Sequence, residues 1–357
     1  MTGNRVLVVD DSALVRQVVA DVIAESGEFV LAGVARDGAD ALAKVRALEP
    51  DIVTLDVAMP GMHGLEVLDR IMRETPRAVV MLSALDDPRG GDLTIRALEL
   101  GAVDFVHKPS RVDLFDAASL SDRLLNALRV ARTIGPPVSA CHATSVEPRA
   151  TRSADAVLES GVPAACVVAI AASTGGPRAL AGLLSAIPRT GDTAYLIVQH
   201  MPAGFTESLA RRLDTVSDLT VREGCDGERL LADHAYVAPG GKQMRVARGS
   251  SGLVLSVLDD ALRHGMRPAA DPLFESVAQA CGNRSVGVVL TGMGRDGAEG
   301  LRELRLAGGY AIVQDQATST VWGMPQAALS LAGADDVASL EMIPSCLAAA
   351  MERRRWL

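Results

Sequence analysis

Five polar residues in the first third of the chain fall where apolar runs end. Asp10 and Asp11 follow residues 6–9, Asp56 follows 52–55, Ser83 follows 78–82 and Lys108 follows 103–106. In a doubly wound sheet the carboxyl ends of the strands gather on one edge, so these positions converge. Clustered carboxylates repel one another unless a hard cation joins them, and Mg2+ with oxygen ligands suits such a set. Together they supply a carboxylate nucleophile, a metal, a hydroxyl and an ammonium group for the oxygens of a phosphoryl group.

A second set lies further along. Ser173 sits in Ala-Ala-Ser-Thr-Gly-Gly-Pro (171–177), His200 follows the run 195–198, and Asp296 lies in Thr-Gly-Met-Gly-Arg-Asp-Gly (291–297) after 286–290. A hydroxyl, an imidazole and a carboxylate on one sheet edge are a nucleophile, its general base and the group that orients the base. The glycines after Ser173 bring backbone N–H groups close, and Pro177 suits a first helical position. That turn aims a helix N-terminus at a developing oxyanion, with the backbone N–H groups of Thr174 and Met293 as the expected donors. It is not a G-x-S-x-G elbow, and alone it would equally serve as a phosphate-binding loop.

The elements that must carry these residues are legible as alternating runs. Strands are expected at 6–9, 29–35, 52–55, 78–82 and 103–106, with helices at 14–25, 39–48, 65–74 and 114–133. That alternation implies a parallel sheet covered on both faces. From 134 to 163 the periodicity fades into Gly, Pro, Ser and Thr, an extended connector with one helical piece near 154–160. Pattern resumes with strands at 166–171, 195–198, 236–238, 253–258, 286–290 and 310–313, and helices at 205–213, 273–281, 298–307 and 325–331. A helix also opens near Pro177, and the irregular middle suggests a β-hairpin. The expected organisation is residues 1–133, a linker 134–163, and a second, doubly wound α/β domain 164–357.

Composition narrows the function classes. At 357 residues, two domains are expected. Aromatics are only 3%, so the cores are built from Val, Leu, Ile and Ala, as buried parallel strands are. A formal charge of −9 argues against a nucleic-acid partner. The five cysteines are scattered, with no C-x-x-C pair, which points to a reducing compartment. Asp10 and Asp11 interrupt the first apolar run, so no signal peptide is expected. The run 162–172 is too short for a membrane span of about 20 residues. A cytoplasmic protein without membrane insertion is expected, and a monomer.

Val-Asp-Asp (9–11), Leu-Asp-Val-x-Met-Pro-Gly-Met (55–62) and Lys-Pro-Ser (108–110) resemble the response-regulator receiver family. The resemblance implies a flavodoxin-like fold with a five-stranded parallel sheet and phosphorylation of Asp56 by a sensor histidine kinase. It implies Mg2+ held by Asp10, Asp11 and Asp56, a phosphoryl group gripped by Ser83 and Lys108, and Phe105 as the switch aromatic. Ala58 stands where relatives often carry Glu, and His63 where the turn usually has Asp.

Ser-Thr-Gly-Gly-Pro (173–177), Gln-His-Met-Pro-x-x-Phe-Thr-x-Ser-Leu-Ala (199–210), Ala-Pro-Gly-Gly (238–241), Leu-Thr-Gly-Met-Gly-x-Asp-Gly (290–297) and Gly-Met-Pro (323–325) resemble the chemotaxis protein-glutamate methylesterase family. That likeness covers nearly the whole chain apart from the linker. It implies hydrolysis of glutamate methyl esters on methyl-accepting chemotaxis receptors, deamidation of receptor glutamines, and no cofactor for the esterase reaction. Ser173 becomes nucleophile, His200 base and Asp296 its orienter. Three departures stand out. Ala171 occupies a position usually Gly, Gln243 one often His, and Ala269 one often Ser, the last two expected in loops at the rim of the site.

Two rivals come from other classes. Gly292-x-Gly294-x-x-Gly297 with Asp315 after the next strand fits a dinucleotide fingerprint, which suggests an NAD-linked enzyme. A docking regulator with an inactive hydrolase fold is the other.

Overall fold

Short runs rich in Val, Leu and Ile become central parallel strands in the computed structural model, which describes residues 4–83, 90–108, 117–135, 161–250 and 252–355. The chain divides into two units, Met1–Ser145 and Val146–Leu357. Residues 136–160 of the expected linker, including its helical piece, lie outside the described residues, as do Pro109 and Ser110.

The first unit runs β1 (Asn4–Val9), α1 (Ala13–Ser26), β2 (Phe29–Ala35), α2 (Gly38–Leu48), β3 (Ile52–Asp56), α3 (Gly64–Glu74), β4 (Ala78–Ser83), α4 (Gly90–Glu99), β5 (Asp104–His107) and α5 (Ala117–Ile134). The strands pair in parallel in the order β2-β1-β3-β4-β5. Local chemistry sets the helix ends. Ser12 accepts from Val15 N–H at the start of α1, and Gly27 ends it with φ of 64°. Asp37 accepts from Asp40 N–H to open α2. His63 opens α3 with no side-chain hydrogen bond, the physical consequence of a histidine where Asp would cap.

The second unit runs β6 (Cys166–Ala172), α6 (Gly176–Ser185), β7 (Thr193–Gln199), α7 (Phe205–Val216), β8 (Thr220–Glu223), β9 (His234–Val237), β10 (Gln243–Gly249), β11 (Gly252–Leu258), α8 (Ala270–Cys281), β12 (Ser285–Val289), α9 (Ala298–Leu306), β13 (Tyr310–Gln314), α10 (Gly323–Leu331), β14 (Asp336–Ala338) and α11 (Ile343–Arg355). Seven strands pair in parallel in the order β14-β13-β12-β6-β7-β9-β8, and β10 and β11 form the antiparallel hairpin. The buried run Val167–Ala172 of β6 is the centre of this sheet, with β7 on one side and β12 on the other. Chain order reverses between β6 and β12, which places the crevice of a doubly wound sheet at their carboxyl ends. The first sheet reverses between β1 and β3 in the same way.

Five elements were not among the expected runs: α4, β8, β10, β14 and α11, β10 being the partner of 253–258 in the hairpin that was expected without bounds. Helix α8 starts at Ala270 rather than 273, because Pro272 falls within its first turn, where a missing N–H costs nothing. No described helix is long and apolar enough to cross a membrane.

Candidate active site and phosphoacceptor site

In the first unit, Asp56 ends β3 and is buried, as are Asp10 after β1 and Ser83 at the end of β4, whereas Asp11 is exposed. Lys108 Nζ lies 2.7 Å from Asp10 Oδ2 and 2.8 Å from Asp56 Oδ2. Burial pushes the Asp56 carboxyl up to about 6, against the opposing pull of Lys108. Carboxylate oxygens of Asp10, Asp11 and Asp56 stand within 4.8 Å of one another. One lysine against three carboxylates leaves negative charge to spare, so this donor set fits a hard divalent cation. Ala58 donates its N–H to Asp56 Oδ1. Thr94 on α4 donates to Ser83 Oγ at 3.1 Å. Phe105, half-buried on β5, meets His107 edge to face at 5.4 Å. Burial lowers the His107 imidazole to about 4.

In the second unit, Ser173 directly follows β6 and His200 directly follows β7. Ala172 and Gln199 are paired, and His200 N–H donates to Ala172 O, so the serine and the histidine occupy neighbouring strand ends. Gln199 is buried and its Nε2 donates to the carbonyls of both Ser173 (3.0 Å) and His200 (3.2 Å). Asp296 arrives from the loop after β12. Its Oδ2 lies 2.7 Å from His200 Nε2, which leaves His200 Nδ1 buried and without a partner among the described residues.

The same loop is stitched to Ser173 by other contacts. Ser173 N–H donates to Thr291 O, and Thr291 Oγ1 donates to Thr174 O while accepting from Val321 N–H. The Thr174 and Met293 N–H groups bond no protein group among the described residues.

Asp296 Oδ2 also accepts from Ala270 N–H at 2.6 Å, and its Oδ1 from Asp271 N–H at 3.1 Å. These are the first two N–H groups of α8, so the carboxylate caps that helix. Burial alone would raise Asp296. The His200 hydrogen bond and charge, with the two helix N–H groups, outweigh it and hold the group below the ordinary carboxylate value.

Sequence reasoning missed Gln199, Ala270 and Asp271. Gln199 was adjacent to a singled-out histidine. The other two act through backbone N–H groups, which carry no side-chain signal.

Two of the three departures are placed differently from expectation. Ala171 lies inside β6, paired with Val198 and Val289, as the expected strand 166–171 has it. Gln243 and Ala269 are buried rather than on a rim loop. Gln243 Oε1 accepts from Ala269 N–H at 2.8 Å, and its Nε2 donates to Ala261 O and Met266 O. The pair therefore staples the segment 259–269 in front of α8. Asp315 binds its own turn, accepting from Thr318 N–H and Oγ1. Gly294 and Gly297 adopt φ of 99° and 87° in the loop that carries Asp296 into the crevice.

A receiver-type sheet followed by a doubly wound α/β unit that gathers Ser173, His200 and Asp296 at one sheet edge is the architecture of a response regulator joined to an α/β enzyme domain. Comparison with known proteins agrees. Residues 6–119 match the response regulator receiver domain and residues 168–347 match CheB methylesterase. A protein-glutamate methylesterase/protein-glutamine glutaminase of Pyrococcus abyssi is 43% identical, covering 99% of this chain and 96% of its own length. One from Albidiferax ferrireducens is 42% identical, covering 97% and 93%. The crystal structure of the Thermotoga maritima CheB methylesterase catalytic domain, 34% identical, superposes with a TM-score of 0.50 over 53% of this chain and 98% of that one. The chain belongs to the CheB methylesterase family.

Proposed function

We propose that the protein is a phosphorylation-controlled protein-glutamate methylesterase, with Ser173, His200 and Asp296 as its catalytic set. The observation that carries this reading is the 2.7 Å His200–Asp296 contact. It fixes the tautomer with Nε2–H donating to the carboxylate, which leaves the Nδ1 lone pair to act as base. Ser173 Oγ attacks the ester carbonyl of a glutamate side chain as its proton passes to His200. The oxyanion is held by the N–H groups of Thr174 and Met293. Collapse returns the proton to the departing methoxide and releases methanol, leaving an acyl-serine. Water then attacks, losing a proton to His200, and the free glutamate departs as Ser173 recovers its proton. With a glutamine side chain, ammonia leaves at the same step, which is the deamidation named for the relatives.

The substrates are methyl-accepting chemotaxis receptors, met in the cytoplasm, and a sensor histidine kinase supplies the phosphoryl group. Asp56 is the acceptor, Ser83 and Lys108 take the phosphoryl oxygens, and Phe105 reports the change through the α4–β5–α5 face. Asp10, Asp11 and Asp56 would hold Mg2+, whose charge offsets that of the incoming phosphoryl oxygens. The organisation is a receiver at 1–133, a linker at 134–163 and a catalytic domain at 164–357. An NAD-linked reading leaves Ser173 and His200 without a role, and Asp315 is occupied in its own turn.

Methanol release from methylated receptor membranes tests the proposal. Ser173→Ala is expected to abolish release while still accepting phosphate from a phosphodonor. Undiminished release by that variant removes Ser173 from the mechanism, and a wild-type chain releasing no methanol favours a docking regulator.

A further inference from the structure

A second carboxylate–imidazole pair lies beside the first. His264 Nε2 stands 2.9 Å from Asp271 Oδ2. Asp271 is fully buried in the first turn of α8, while His264 keeps 27% of its side chain exposed on the segment 259–269. Two contacts tie the pair to the candidate active site. Asp271 N–H donates to Asp296 Oδ1, so the carboxylates share one buried cluster. Asp271 Oδ1 accepts from Gly300 N–H at 2.7 Å in the first turn of α9, the helix that begins just after Asp296. Each of these helix starts is thus satisfied by the carboxylate beside the other.

Two neighbouring carboxylates out of water resist ionising together without a counter-charge. Burial raises Asp271 and the Asp296 charge adds to this, while Gly300 N–H and His264 oppose. The other charges around the pair have partners of their own. Arg263 bridges Glu275 and Glu299, Arg295 pairs with Glu299, and Arg245 pairs with Asp260. Among the described residues, no cation other than His264 contacts Asp271.

We infer that His264 is a positioning residue for the reaction: as an imidazolium it keeps Asp271 ionised beside Asp296, and through the two reciprocally capped helices it holds Asp296 on His200. This rests on the reading of Ser173, His200 and Asp296 as the catalytic set.

The test is the pH profile of kcat/KM for methanol release by the full chain. His264→Ala is expected to move the acid limb upward by about one pH unit, because Asp271 loses the partner that opposes its protonation. That is roughly tenfold less activity at pH 6 and under about twofold at pH 9. His264→Lys, which restores a cation, is expected to bring the limb back, and His264→Gln, a donor without charge, is not. An acid limb unchanged in His264→Ala, or an equal loss at every pH, overturns the inference. Ser173→Ala run alongside separates the two readings. If it keeps full release, the catalytic set itself fails. If it is inactive while His264→Ala titrates like wild type, only the role of His264 fails.

Discussion

At the scale of single residues, one carboxylate links the proposed catalytic set to stability. Asp296 accepts from His200 Nε2, from Ala270 and Asp271 at the start of α8, and from Gly297 N–H. Asp296→Asn keeps the shape but removes the charge that stabilises a protonated His200, so kcat is expected to fall by about 10³-fold or more. The same charge at a helix N-terminus contributes roughly 0.3–2 kcal/mol. Its folded pKa is lowered, so this contribution is present above the unfolded value of about 4 and is lost as pH falls through the folded one. Urea unfolding followed by Trp322 fluorescence should therefore show wild type ahead of the variant at pH 7 and the gap closing as the pH falls below the ordinary carboxylate range. A gap that persists in acid would assign the difference to packing. Ser173, His200 and Asp296 were legible from sequence because each directly follows an apolar run or sits in a short glycine-rich loop. Asp271 and His264 were not, because their meaning depends on which N–H groups and which second carboxylate they meet.

At the scale of elements, both sites sit where a parallel sheet reverses its chain order, between β1 and β3 and between β6 and β12. The loops leaving those strands must pass close to one another, and glycine makes that possible. A Cβ on Gly292 would lie 2.3 Å from Met324 Sδ and 2.8 Å from Ser173 Cβ. Gly292→Ala must therefore displace the serine or α10, with an expected loss of at least tenfold in kcat and about 1–3 kcal/mol in stability. Gly294 is the control, since its Cβ would meet nothing within 4 Å and alanine there costs only the strain of its positive φ. Equal methanol release by Gly292→Ala and wild type would show that the loop yields freely. The central strands were readable because their apolar runs are bounded by turn residues. The short edge strand β14 was not, with Asp336 in its three residues and Val337 half exposed, nor was α4, which opens on two glycines. Edge position and tertiary contact decide such elements, and neither leaves a periodic signature.

At the scale of the whole molecule, the receiver matters only if its two chemical states differ in free energy toward the catalytic unit. A phosphoryl group that binds both states equally shifts nothing. Holding activity down about a hundredfold requires a bias of roughly 3 kcal/mol, which phosphorylation must remove. The source of that bias is local. In the unmodified receiver Lys108 bridges Asp10 and Asp56, and Ser83 is bonded by Thr94 of α4. A phosphoryl group on Asp56 competes for Lys108 and offers an acceptor to the Ser83 O–H, so the hydroxyl that accepts from Thr94 is drawn toward the phosphoryl oxygens and the β4–α4 contact is strained. Asp56→Asn removes the acceptor and is expected to keep basal methanol release while losing all response to a small-molecule phosphodonor. Chelating divalent cations should reproduce that insensitivity in the wild-type chain without lowering basal release, because the proposed esterase step routes no bond through a metal. Stimulation that survives in Asp56→Asn would move the acceptor to another residue. A basal rate that collapses with chelation would instead place a metal in the catalytic unit.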